Sequence, residues 1–173
     1  MLKPLLEVSA PDARWQHFGR SDGFQPLTLE GHYADIEGLA LAGAAPEDAI
    51  IAWDRARNTY LMSWYCYDLI SVAVPQALMA LELAGRIRLG QSAKGCRGLY
   101  GIIERLVGGG ILKERFRSPL TLAKTAAEFR NHWQHGTADL ADPNLELRTM
   151  QFCKELIDVM FPYIDRLSER TEV

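Results

Sequence analysis

Residues 46–90 read PEDAIIAWDRARNTYLMSWYCYDLISVAVPQALMALELAGRIRLG, and the spacing of their apolar positions decides the fold. Pro46 suits a first helical position, where its missing N–H would be unpaired in any case. Glu47 and Asp48 follow it, against the positive end of the helix dipole. From Ile50 onward Ile51, Trp53, Ala56, Tyr60, Leu61, Trp64, Tyr65 and Ile70 recur at helical spacing. Pro75 removes a backbone donor and crowds the preceding turn, so it is expected to kink or break the run. The pattern resumes through Ala77, Leu78, Leu81, Ala84 and Ile87. It predicts two consecutive helices, or one long kinked helix, ending near Gly90.

Working outward, residues 90–96 read as a loop. A shorter helix is expected from about Arg97 to Val107, stopped by Gly108-Gly109-Gly110. Ser118-Pro119 open another, a capping serine followed by proline in the first turn. That helix runs through Leu122, Ala126 and Phe129 to the region of His135, with Gly136 at the usual C-terminal cap position. Asp142-Pro143 open the last helix by the same logic. Its stripe is Leu147, Met150, Cys153, Ile157, Met160 and Phe161, and it is expected to bend at Pro162 and extend toward Ser168. Residues 1–44 lack a sustained period and are punctuated by glycine and proline. They read as an irregular arm, with short strands around Pro26 to Leu29 and Tyr33 to Leu41. The expected fold is all-α: an up-and-down bundle of four to five helices over residues 45–173, behind the N-terminal arm.

A chain of 173 residues is long enough to close one core. With 48% hydrophobic and 24% charged residues it has ordinary globular composition, which excludes a collagen, a disordered tail or a coiled-coil rod. Met1-Leu2-Lys3-Pro4 lacks the apolar core and small-residue cleavage site of a signal peptide. The most apolar stretch, Leu69 to Leu89, carries Gln76, Glu82, Arg86 and Arg88, so it reads as a buried helix rather than a bilayer span. Cys66, Cys96 and Cys153 are odd in number and far apart, as expected of reduced thiols in a cytoplasmic protein.

Net charge is −3, but between Arg86 and Arg130 ten basic residues face three acids. That stretch is +7 and the remainder −10. It is either a local anion-binding surface or a set of solvated helix faces whose charges never converge. Gly108-Gly109-Gly110 is a helix stop, since no strand precedes it and no Lys-Ser or Lys-Thr follows. Glu82 and Arg86 are spaced for a helix ion pair. Tyr60, Trp64, Tyr65 and Tyr67 read as core and interface aromatics rather than a base-stacking platform. His132 and His135 share one helical turn, but no third metal ligand stands nearby, so no metal or other cofactor is expected.

Glu128-Phe129-Arg130-Asn131-His132-Trp133-Gln134-His135-Gly136 is the one chemically loaded segment. It packs a guanidinium, two carboxamides and two imidazoles into about two turns. Arg130-Asn131-x-x-x-His135-Gly136 resembles the R-x(4–6)-H signature of the HEPN superfamily, helical-bundle proteins of prokaryotic defence, toxin–antitoxin and RNA-processing systems. Upstream, Ala77 to Arg86 resembles the A-L-E-x-x-x-R helix of such domains. Tyr100 to Leu112 resembles their intervening short helix and turn. The similarity covers roughly residues 50–165. One position departs: toxins of this family paired with a nucleotidyltransferase antitoxin often carry tyrosine two residues after the histidine, and here it is Thr137.

The resemblance implies a homodimer that cuts RNA without metal, with Arg130, Asn131 and His135 catalytic and Arg115, Arg117, Lys124 and His132 contacting RNA. The residue types suit that chemistry. An imidazole with an ordinary pKa near ~6.5 accepts or donates a proton at neutral pH. A guanidinium stays charged and matches phosphate oxygens. Asn131 and His135 are i, i+4 and share a face. Arg130 and His135 are about 140° apart on an ideal helix, so they converge through distortion or across a two-fold axis. The resemblance also implies an antitoxin or other partner protein, and no membrane. Two alternatives remain: a non-catalytic HEPN-like nucleotide- or RNA-binding or dimerisation module, and an unrelated helical protein.

Overall fold

The computed structural model describes residues 3–20, 25–113 and 142–162. Five α-helices are found among them: α1 (Leu29–Glu37), α2 (Glu47–Met62), α3 (Ile70–Leu89), α4 (Gly98–Gly108) and α5 (Pro143–Met160). The described residues are all-α apart from a two-residue antiparallel pair, β1 (Gly19–Arg20) with β2 (Gln25–Pro26). Helices α2 and α3 form a hairpin, and α3 also packs against α4 and α5, so it is the central helix. Its inward face is built from small residues, Ala73, Ala77, Ala80 and Ala84, each fully buried. They let the neighbouring helices approach closely. Gly85 goes furthest, because a Cβ there would collide with Ile102 of α4.

The hairpin breaks where the periodicity does not announce it. Pro75 lies inside α3 and does not end it; the flanking Ala73, Val74, Ala77 and Leu78 are buried and hold the helix through the lost bond. The break falls instead at residues 63–69, which include a 3-10 turn at Tyr67–Leu69. Gly90, at φ +54°, closes α3 at the expected place. The glycine stop after α4 and the Asp142-Pro143 start of α5 are also as expected, with the Asp142 carboxylate accepting from Asn144 N–H. Helix α5 ends at Met160, before Pro162. The helix expected from Ser118 to His135, and any extension to Ser168, lie outside the described residues.

The N-terminal arm differs from the expectation in two ways. Tyr33 to Leu41, read as strand, is mostly helix α1, capped by the Thr28 hydroxyl accepting from Gly31 N–H; of the expected strand Pro26 to Leu29 only Pro26 is paired, as part of β2, and Leu29 already begins α1. The arm is also packed into the core, where Trp15, His32, Ile36 and Leu39 are all under 5% exposed. Its polar groups serve the hairpin break. Trp15 Nε1–H donates to the Ser63 carbonyl at 2.8 Å, and Asp12 N–H to the Trp64 carbonyl at 2.8 Å. The Asp12 carboxylate accepts from Tyr67 N–H at 3.1 Å, and Lys3 Nζ donates to the Tyr65 carbonyl at 3.0 Å. Buried backbone groups left open by a helix break need partners, and here they come from fifty residues away in sequence.

By length and composition, Tyr67–Ala93 could cross a membrane, with a mean hydropathy of 1.3. Half of that window is buried inside the protein, as befits the central helix.

Candidate functional site

Arg130, Asn131, His132 and His135, with Arg115, Arg117 and Lys124, all lie outside the described residues. The structure fixes the two points between which that segment runs. After α4 the chain turns at Gly109–Gly110 and inserts Leu112, 1% exposed, with Ile111 and Leu112 N–H both donating to the Leu106 carbonyl. It re-enters at Asp142, and the Pro143 carbonyl accepts from the Tyr60 hydroxyl at 2.8 Å.

That re-entry point borders a dense aromatic and polar joint. Trp15 lies 4.9 Å from His32 and 5.9 Å from Trp64 between ring centroids, and His32 stacks on Tyr60 at 5.5 Å. His32 Nε2–H donates to the Tyr60 carbonyl at 3.1 Å, which fixes the neutral tautomer. Burial lowers its pKa, so the ring stays uncharged. Asp12 is held well below the usual carboxylate range by the Arg14 guanidinium, which also reaches Asp68. Burial raises the Tyr60 and Tyr67 hydroxyls, with Asp142 and Glu146 adding to it.

Glu146, on α5, is 5% exposed, and no hydrogen bond or ion pair reaches its carboxylate among the described residues. Burial, with Asp142 as a second cause, pushes its pKa up to about 7. The sequence does hold a signal for it. Pro143, Glu146, Met150, Cys153, Ile157 and Met160 form a three-four-three-four-three stripe, and Glu146 is the acid within it. His32 had no such signal, because α1 is short and its period weak. Between the arm and α5, lined in part by Trp15, His32, Asp35 and Asn144, is a cleft of about 40 Å³. That is room for a water or two and too little for a nucleobase.

Of the basic stretch, Arg86, Arg88, Lys94, Arg97, Arg105 and Lys113 are among the described residues. Arg86 is paired with Glu82 at 2.7 Å, as the spacing predicts, and Arg88 lies over the Phe161 ring at 5.9 Å. Arg97 and Arg105 line a shallow groove on the outer side of α4 with Cys96, Tyr100, Gly101 and Glu104. Tyr60, Trp64 and Tyr67 are buried, as expected for core aromatics. The three cysteines are unlinked, and burial pushes the Cys153 thiol up to about 12. No group of three or more potential metal ligands exists among the described residues.

No family model matches the sequence, and neither a curated protein nor a solved structure is similar to it at a significant level.

Proposed function

We propose that this chain is a metal-independent endoribonuclease of the HEPN type, a cytoplasmic homodimer that cuts RNA by attack of a 2′-hydroxyl on its own phosphate. The observation that carries the reading is the string Arg130-Asn131-x-x-x-His135-Gly136 in an all-α chain. The order of elements supports it: the Ala77 to Arg86 stretch is on α3 with its Glu82–Arg86 pair formed, and Tyr100 to Leu112 is α4 with its terminal turn.

In this reading His135 of one subunit takes the 2′-OH proton and the partner's imidazole protonates the departing 5′-oxygen. Arg130 neutralises the phosphorane, Asn131 holds phosphate or His135, and Arg115, Arg117, Lys124 and His132 guide the strand. The products carry a 2′,3′-cyclic phosphate, and DNA is spared. Such an enzyme suits a toxin or phage-defence effector restrained by an antitoxin or other partner. Thr137 places restraint by tyrosine modification outside the reading. The net charge of −3 favours the alternative, a non-catalytic binding or dimerisation module, because weak phosphate attraction suits a protein that does not process long RNA. The deciding experiment is RNA digestion in EDTA. Wild type should yield cyclic-phosphate ends and His135→Ala should lose at least about 100-fold in rate; intact RNA with both proteins sinks the nuclease.

A further inference from the structure

Helix α4 carries a groove on the flank that faces away from the core. Ile102, Ile103 and Leu106 are buried against the bundle. Arg97, Gly101, Arg105 and Gly108 recur four, four and three residues apart and so lie on the opposite side. The groove they line has a volume of about 600 Å³, with Gly95 and Cys96 at its start. That is ligand-sized, against the ~300–1,000 Å³ of typical binding clefts. Its floor is low because Gly101 and Gly108 have no side chain, and a Cβ at Gly108 would meet no neighbour within 4 Å. On a helical wheel Tyr100 and Glu104 rise on one side of that floor and Arg105 on the other.

The charges around the groove are not neutralised locally. Arg14, Arg57 and Arg86 each bind a carboxylate. Arg97 and Arg105 are exposed and have no ion pair among the described residues, although Glu104 stands next to Arg105 in sequence. Glu104 instead accepts from the Tyr100 hydroxyl one turn back, which ties down a ring that is 44% exposed. Lys94 and Lys113 flank the helix, so residues 94–113 hold four cations and one anion, +3 in all. Guanidinium groups left unpaired along an open groove favour an anionic ligand.

We propose that this groove binds single-stranded nucleic acid, with Lys94, Arg97 and Arg105 on its phosphates and Tyr100 stacked on a base. Eight residues of helix place the two guanidinium stems about 12 Å apart, the rise of three to four stacked nucleotides at ~3.4 Å each. A positive groove with an exposed aromatic between its cations holds a strand without regard to sequence. A duplex keeps its bases stacked inside, where Tyr100 cannot reach them. An acidic peptide meets Glu104 and offers the ring no flat face. Glu104 opposes phosphate as well, but its bond to Tyr100 holds the stacking ring in place. The site is made of residues outside Arg130 to Gly136, and its hold on a strand does not depend on cleavage. That the strand is RNA rests on the ribonuclease reading, in which the groove is a track for the substrate beyond the cutting residues.

A single DNA strand of about 12 nucleotides tests the groove in the full chain, because it lacks the attacking hydroxyl and stays whole. Fluorescence anisotropy should show binding at ~50 mM salt, with log K falling by about 2 per decade of salt for the three phosphates contacted. Arg97→Ala with Arg105→Ala should weaken binding at least ~10-fold and flatten that slope by about 1.4, with an unchanged circular dichroism spectrum. Arg55→Ala with Arg148→Ala removes the same charge from exposed positions on α2 and α5 and should change it less than ~2-fold. Tyr100→Ala should cost about 5-fold or more, whereas Tyr100→Phe keeps the stacking face. Glu104→Gln should tighten binding about 2-fold. No binding at ~100 µM protein, a groove pair no worse than the control pair, or a duplex bound more tightly than the strand overturns the proposal. RNA cleavage is read separately, and there the groove pair should raise KM with kcat unchanged. A chain that leaves RNA intact but loses the DNA strand with Arg97 and Arg105 keeps the groove and loses the nuclease. A chain that cuts RNA and holds the strand equally well without them does the reverse.

Discussion

Around the Ser63–Leu69 turn the interior is aromatic and polar, whereas between α3, α4 and α5 it is aliphatic and close-packed. In the first region Trp15, His32, Tyr60, Trp64 and Tyr67 pack ring against ring in stacked, tilted and edge-to-face pairs, and Asp12, Arg14 and Ser63 thread hydrogen bonds among them. In the second, Ala77, Ala84, Ile102, Leu106, Leu156 and Ile157 meet with no polar side chain to satisfy. Close packing is indifferent to pH and tolerant of distance along the chain. The joint around the turn depends on ionisation states and on an arm fifty residues upstream. The same domain therefore has one half whose stability is set by volume and another set by partners.

Removing the arm's anchor should have the largest effect. Trp15→Ala deletes a 3%-exposed indole and leaves the Ser63 carbonyl without its donor. A loss of about 4 kcal/mol is expected in urea unfolding, and Trp15→Phe should recover most of the packing but not the hydrogen bond. If Trp15→Ala costs less than about 1 kcal/mol, the arm is not part of the cooperative core and the contrast between the two regions dissolves.

Why the sequence disclosed one region better than the other follows from the same contrast. The ends of α4 and the start of α5 are written locally, in glycines and in an Asp-Pro cap, and they stand where the sequence put them. The hairpin break is not local: Ser63 to Leu69 continues the apolar period, and it is Lys3, Asp12 and Trp15 of the distant arm that supply partners to the backbone leaving the helix. Pro75, a strong local signal, was outweighed by burial on either side of it. Helix α1 is not legible in the pattern, because nine residues containing Gly31 carry little periodicity. The chemistry of Arg130 to Gly136 was legible as residue types and spacing alone, and its place in the fold lies outside the described residues.

The polar region can be probed through its charges. Asp12, with a folded pKa below its ordinary value, contributes stability that is complete above pH ~4 and is lost as pH falls toward the folded value. Asp12→Asn should cost about 2 kcal/mol at pH 7, through weaker bonds to Arg14 and Tyr67 N–H. Its gap to wild type should narrow as the pH is taken down toward ~2. A gap that stays constant between those limits would mean that shape rather than charge holds the arm.

Glu146 should respond with the opposite sign and a smaller magnitude. Its folded pKa of about 7 stands above the ordinary 4.5, so the folded state binds the proton more tightly than the unfolded one. Stability from this group is present below pH ~4.5, falls as pH rises toward 7 and levels off beyond. Glu146→Gln keeps the size and cannot ionise. It should match wild type near pH 4 and exceed it by about 1–2 kcal/mol at pH 8. Urea unfolding at the two pH values reads this directly, and a variant no more stable than wild type at pH 8 would show that the ionised carboxylate has a favourable partner after all. His32 bends the profile the other way, because its buried neutral ring loses stability as pH falls through ~6.5. The joint is thus squeezed from both sides, by an acid that resists ionising and a base that resists protonation. The aliphatic half of the core has no means of producing such a profile.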